Sequence, residues 1–204
     1  MHARVVMLKG SPERADDAIG VIQEQVIPQV RNLPGLLGAY WLLDRKTGRT
    51  RALTLFESEK SLADSRQAAQ QIRERGSAAA RAEIEGVEEM EVVFSVQPED
   101  KPGCARLVKS EGPPETIDKA LAEIKEVPAR EFSAFQGGFW LADRKTGQGR
   151  AIIFYRSQKD LDEIRERANT ANQEMAERLG FKSSPAEEYE IVAVVPLKHA
   201  AKAG

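Results

Sequence analysis

Residues 38–62 read GAYWLLDRKTGRTRALTLFESEKSL, and residues 137–161 read GGFWLADRKTGQGRAIIFYRSQKDL. The two align without a gap at an offset of 99, which sets Trp41 on Trp140, Asp44 on Asp143, Gly48 on Gly147 and Arg51 on Arg150. Each stretch reads as two apolar strands around Asp-Arg-Lys-Thr-Gly, with a glycine where a hairpin needs positive φ and an aspartate able to start the turn. A register kept over 25 residues in two places makes the chain a repeat.

Moving outward, the offset still holds near the ends of the copies, where EEMEVVFSV from Glu88 matches EEYEIVAVV from Glu187. At the front, ARVVMLKG from Ala3 resembles ARLVKSEG from Ala105 at an offset of 102, so three residues are lost before the second hairpin. Between the copies, QPEDKPG has prolines, a glycine and charges without apolar periodicity, and reads as a linker. The expected organisation is therefore repeat 1 at 1–97, a linker at 98–103 and repeat 2 at 104–204.

Each copy carries the same elements. In the first, Val5 to Leu8 is a short strand. Ala15, Ala18, Ile19, Ile22, Val26 and Val30 then recur at three- and four-residue steps, one apolar face of a helix. After the hairpin a long helix is expected over about residues 59–82, then a strand over 89–96. The second copy repeats the plan, its second helix carrying Leu161, Ile164, Ala168, Ala171, Met175 and Leu179. The order β-α-β-β-α-β is the α+β ferredoxin-like plan, an antiparallel sheet with both helices on one face. The strands are apolar on both parities, as in Tyr40-Trp41-Leu42-Leu43 and Ile191 to Val195, so both sheet faces are expected to be buried. The natural cover for the free face is the sister repeat, giving a barrel-like pseudo-dimer within one chain.

Composition removes several functions. The 204 residues are 41% hydrophobic and 30% charged at net −2, so the chain is globular and presents no electrostatic footprint for nucleic acid or anionic lipid. Its opening residues lack the apolar core of a signal peptide and no stretch approaches membrane-spanning length, so a cytoplasmic location without a membrane partner is expected. One cysteine, Cys104, and two histidines near the ends supply neither a disulfide, a metal cluster nor a histidine-activated nucleophile. No metal or cofactor is expected.

These features together resemble the antibiotic biosynthesis monooxygenase (ABM) domains of the dimeric α/β-barrel superfamily. The resemblance rests on the aromatic strand, the Asp-Arg-Lys-Thr-Gly hairpin, the Phe56-Glu57-Ser58 and Tyr155-Arg156-Ser157 exits and the Glu-Glu-x-Glu last strands. It covers nearly the whole chain, twice. Relatives usually build the barrel from two chains, so the resemblance implies a fused pseudo-dimer, with a further homodimer of whole chains left open. It implies activities that include cofactor-free oxidation of aromatic polyketides and quinols, haem degradation and small-molecule isomerisation. Haem-degrading relatives use histidine and tryptophan on the second helix and asparagine on the first strand. Here residues 65–80 and 164–179 hold neither histidine nor tryptophan.

Quinol-oxidising relatives work with Asn, Trp, Tyr and Arg, which hold a phenol and stabilise its anion. The residues of those types give the ligand-binding candidates Tyr40, Trp41, Arg51, Trp140, Arg150, Tyr155, Asn169 and Asn172, with no catalytic residue assigned. Each has a plainer reading: the tryptophans as core, the asparagines as a solvated helix face, the arginines as cross-strand partners of Asp44 and Asp143. Two functions follow. One is a binder of a small apolar or aromatic molecule with cofactor-independent monooxygenase activity; the other is a non-catalytic ligand-binding or structural module. A tandem amino-acid-binding regulatory domain is a weaker third, because the first strand-to-helix turns lack the acidic-glycine signature.

Overall fold

A computed structural model describes residues 1–98, 100–126 and 134–198. Glu99 of the expected linker and residues 199–204 of the second repeat lie outside them. The chain divides into two compact units, residues 1–89 with 191–204, and residues 90–190.

Unit 1 is built on an antiparallel sheet of β1 (His2–Lys9), β2 (Leu36–Asp44) and β3 (Arg49–Phe56), in the order β1-β3-β2. The first residues of β4 (Glu83–Val96) flank β1, and the last residues of β9 (Glu187–Val195) flank β2. β4 starts six residues earlier than the sequence suggests, at Glu83 rather than Glu89. The apolar pattern of Glu83 to Val87 is too dilute to announce a strand, and pairing with β1 supplies what the pattern lacks. Along one side lie α1 (Ala15–Val21), a π-helical turn (Ile22–Val26), α2 (Ile27–Val30), α3 (Glu59–Asp64) and α4 (Arg66–Ala80). The π turn sits just before Pro28, whose missing N–H cannot continue the four-residue ladder. The expected long second helix is split at Ser65, fully buried, whose hydroxyl turns back onto the Leu62 carbonyl at 2.7 Å. Ser58, at the end of the hairpin exit, caps α3 by accepting from the Ser61 amide at 3.1 Å.

Unit 2 uses β5 (Cys104–Glu111), β6 (Phe135–Asp143) and β7 (Gln148–Tyr155) in the order β5-β7-β6. Residues 91–96 of β4 flank β6, and residues 187–190 of β9 flank β5 beside the two-residue β8 (Lys182–Ser183). Its helices are α5 (Thr116–Glu126) and α6 (Gln158–Leu179), the latter capped by Ser157 accepting from the Asp160 amide at 3.2 Å.

Both Asp-Arg-Lys-Thr-Gly segments are hairpin tips. Asp44 accepts from the Lys46 amide at 2.9 Å and Asp143 from the Lys145 amide at 2.8 Å. Gly48 and Gly147 take φ of +73° and +74°, and a Cβ there would meet the carbonyl oxygens of Gly10 and Gly112 at 2.2 and 1.8 Å. Glycine is therefore required twice, by conformation and by space.

Candidate functional site

Each unit holds a cavity between its sheet and its helices, and the two differ in size. That of unit 1 is about 100 Å³, too small for more than a few atoms. That of unit 2 is about 410 Å³, within the range of pockets that take small molecules.

Substitutions at corresponding positions account for part of the difference. In α4 of unit 1, Gly76 lets the first helix approach so closely that an added Cβ would lie 2.8 Å from Val26 Cγ2. Met175 occupies the matching position in α6, where such an approach is barred. Ala171 stands in unit 2 where unit 1 has Ile72, leaving space where unit 1 has a buried side chain. Trp41 accordingly belongs to a packed core with Ile22, Val30, Leu33 and Ile72. Trp140 is half-buried and faces the larger cavity, its ring tilted 42° against Phe94 at a centroid distance of 5.1 Å.

The polar groups of the two cavities also diverge. On the helix-facing side of β1, Arg4 is 3% exposed. It donates to Glu89 through Nε (3.0 Å) and Nη2 (2.8 Å), to Ser65 Oγ (3.1 Å) and to the Leu62 carbonyl (3.0 Å), with Phe56 5.3 Å below its guanidinium. Glu89 in turn accepts from Arg66. Burial would raise the Glu89 carboxyl, but the hydrogen bonds from Arg66 and Arg4 outweigh it and hold the group below its ordinary range. Arg4 is thus a neutralised structural cation.

Arg106 holds the matching place on β5 and is equally buried, at 3% exposure. Ile164 replaces Ser65 and Tyr155 replaces Phe56. Glu188, the counterpart of Glu89, is taken by Arg165 through Nε (2.6 Å) and Nη2 (2.8 Å), and by Gln158 at 3.3 Å. Arg106 instead donates Nη2 to Asn169 Oδ1 at 2.5 Å and hydrogen bonds the Tyr155 hydroxyl, while its Nε has no partner among the described residues. Antiparallel register explains the Tyr155 contact: Arg106 pairs with Ile153, so Tyr155 is its diagonal neighbour on the same face. Burial depresses the Arg106 guanidinium, although Tyr155 and Glu188 oppose the shift, and burial raises the Tyr155 phenol, partly offset by Arg106.

The eight sequence candidates separate by location. Trp140, Arg150, Tyr155 and Asn172 line the unit 2 cavity, Asn172 also donating to Ser183 Oγ at 2.6 Å, and Asn169 touches it through Arg106. Trp41 lines the small cavity of unit 1. Tyr40, two percent exposed, alternates away from Trp41 on β2, and burial pushes its phenol up to about 12. Arg51 is buried against Glu85 at 3.4 Å and the Thr50 carbonyl at 3.1 Å, outside that cavity. Sequence reasoning passed over Arg106. Its signal was there to be read: an arginine inside the apolar strand Ala-Arg-Leu-Val, on the parity that faces the helices.

No model of a known protein family matches the chain. The uncharacterised protein Rv2557 of Mycobacterium tuberculosis is 23% identical over 178 residues, covering 83% of this chain and 77% of that protein. Among solved structures, a Fusobacterium nucleatum chain provisionally named a monooxygenase superposes with a TM-score of 0.69 at 10% identity, over 96% of this chain and 94% of that one. An anthrone oxidase-like protein gives 0.64 at 14% identity over 99% and 96%. A Listeria monocytogenes haem-degrading enzyme gives 0.51 at 11% over 92% and 99%. The chain therefore has the α+β ferredoxin-like fold of ABM-related, monooxygenase-like proteins. No helix among the described residues is long and apolar enough to cross a membrane.

Proposed function

We propose that this chain is an ABM-like protein that binds a small apolar or aromatic molecule in the cavity of unit 2. One observation carries the reading: about 410 Å³ of space walled by Trp140 and Phe94, with polar groups confined to a few points, where the corresponding space of unit 1 is about 100 Å³. In the same reading the sequence repeats 1–97 and 104–204, joined by 98–103, are the halves of a fused α/β-barrel-like pseudo-dimer in the cytoplasm. The 99-residue offset and the likeness to monooxygenase-like folds support the pseudo-dimer.

The activity proposed is cofactor-independent oxygenation of a phenolic or quinol-type substrate, with Trp140 stacking the ring and Tyr155 and Asn172 orienting its oxygens. Oxygen uptake by the full chain with hydroquinones and anthrones tests it. Consumption above buffer that falls at least about tenfold in Trp140→Ala is expected. Binding without any consumption refutes the activity. A non-catalytic ligand-binding module is the second reading, favoured by one feature: among the described residues lining the cavity there is no carboxylate or imidazole to take a substrate proton.

A further inference from the structure

Arg4 and Arg106 occupy matching positions, are equally buried and face the same side of their sheets, yet only one of them is neutralised. Arg4 is neutralised by Glu89 and saturated by Ser65 and the Leu62 carbonyl. Among the described residues no carboxylate lies within ion-pair distance of Arg106. Glu188 attracts it only through space, because its oxygens are occupied by Arg165 and Gln158. The groups that do touch Arg106, the Asn169 amide and the Tyr155 hydroxyl, are neutral, and the buried Nε has no acceptor among the described residues. A buried cation with no counter-charge is unfavourable unless something compensates it. In unit 1 the protein supplies the compensation; in unit 2 it leaves a cavity there.

We infer that the ligand of unit 2 is an anion: an apolar, chiefly aromatic molecule bearing a carboxylate or an ionised phenol or enol oxygen, which Arg106 receives at its guanidinium. The inference rests on the cavity reading above and sharpens it by naming the charge of the ligand. Apolar walls accept the hydrocarbon body, and the buried Arg106 guanidinium fixes its orientation, with Arg150 and Lys125 also on the cavity lining. Tyr155 and Asn169 hold the guanidinium from the side.

The test is calorimetric titration of the intact chain at pH 7.5 with 2-naphthoate, with the ionised phenol 4-nitro-1-naphtholate, and with neutral 2-naphthylmethanol as a near-isosteric control. At least one anion is expected to bind about tenfold or more tighter than the alcohol, as a charge-assisted hydrogen bond to a buried guanidinium requires. Which anion wins separates carboxylate from phenolate. Arg106→Met is expected to abolish the preference for an anion over the alcohol, and Arg106→Lys to restore part of it. Equal affinity for all three probes overturns the inference and leaves the cavity reading intact. Failure of every probe to bind overturns both. The comparison within the unaltered chain needs no variant to fold.

Discussion

Replacing Glu89 by glutamine removes a charge and little volume, and the structure sets what that should do. Arg4 is 3% exposed and Glu89 24%, so the pair is largely withdrawn from water while the carboxylate keeps one edge wet. Breaking a fully buried pair costs about 3–5 kcal/mol; with the glutamine oxygen still able to accept from Arg4, we expect about 2–3 kcal/mol here. For a chain of this length that lowers Tm by roughly 4–12 °C. The matching change, Glu188→Gln, weakens a pairing with Arg165, whose side chain is 39% exposed, and should cost about 1 kcal/mol or less. Urea unfolding and thermal melts of both variants make the comparison, and equal destabilisation would refute the distinct roles given to Arg4 and Arg106. The effect is also pH-dependent. Glu89 has a lowered carboxyl pKa in the folded protein, so its contribution is present above the ordinary value of 4.5 and is lost as pH falls through the folded value. The gap between the parent chain and Glu89→Gln should therefore close on acidification and stay constant from pH 6 to 8.

Other outcomes follow from the same geometry. Trp41→Ala empties a packed core and should cost about 3–5 kcal/mol by denaturant unfolding, while Trp140→Ala, at a half-buried ring beside an existing cavity, should cost about half as much; equal losses would contradict the assignment of core and cavity wall. Gly48→Ala must place a Cβ against the Gly10 carbonyl at φ +73° and should cost about 2 kcal/mol, whereas Gly20→Ala, with nothing within 4 Å of the added Cβ, should be neutral or stabilising in a thermal melt. Residues 1–97 alone lack the β9 segment that flanks β2, so light scattering should find them self-associated; a stable monomeric fragment would count against the fused pseudo-dimer.

Much of the fold could be read from residues. The hairpins follow from Asp44 and Gly48 and from Asp143 and Gly147, whose turn chemistry is local. The helix starts at Ser58 and Ser157 are equally local, as a capping hydroxyl needs only the next turn. The first residues of β4 could not be read, since Glu83 to Val87 are strand only because β1 lies beside them. The break at Ser65 was hidden for a similar reason. Its buried hydroxyl answers to Arg4, 61 residues away.

The candidate site was legible in its residue types and illegible in its geometry. Trp41 and Trp140 are indistinguishable in the sequence, and so are Arg4 and Arg106; what separates them lies on other elements. Gly76 against Met175 and Ile72 against Ala171 set how much room each tryptophan has. Ser65 against Ile164 and Phe56 against Tyr155 change what each arginine can touch.

The sequence by itself led to the expectation of two copies of one β-α-β-β-α-β plan, and it located the turns and the apolar faces, because periodicity, capping and turn chemistry are short-range. The tertiary structure decided that one unit is filled and the other hollow, and that of two buried arginines one has a carboxylate partner and the other, among the described residues, has none. The contacts that distinguish Arg4 from Arg106 join residues 61 to 85 positions apart, and no local pattern records which of them meet.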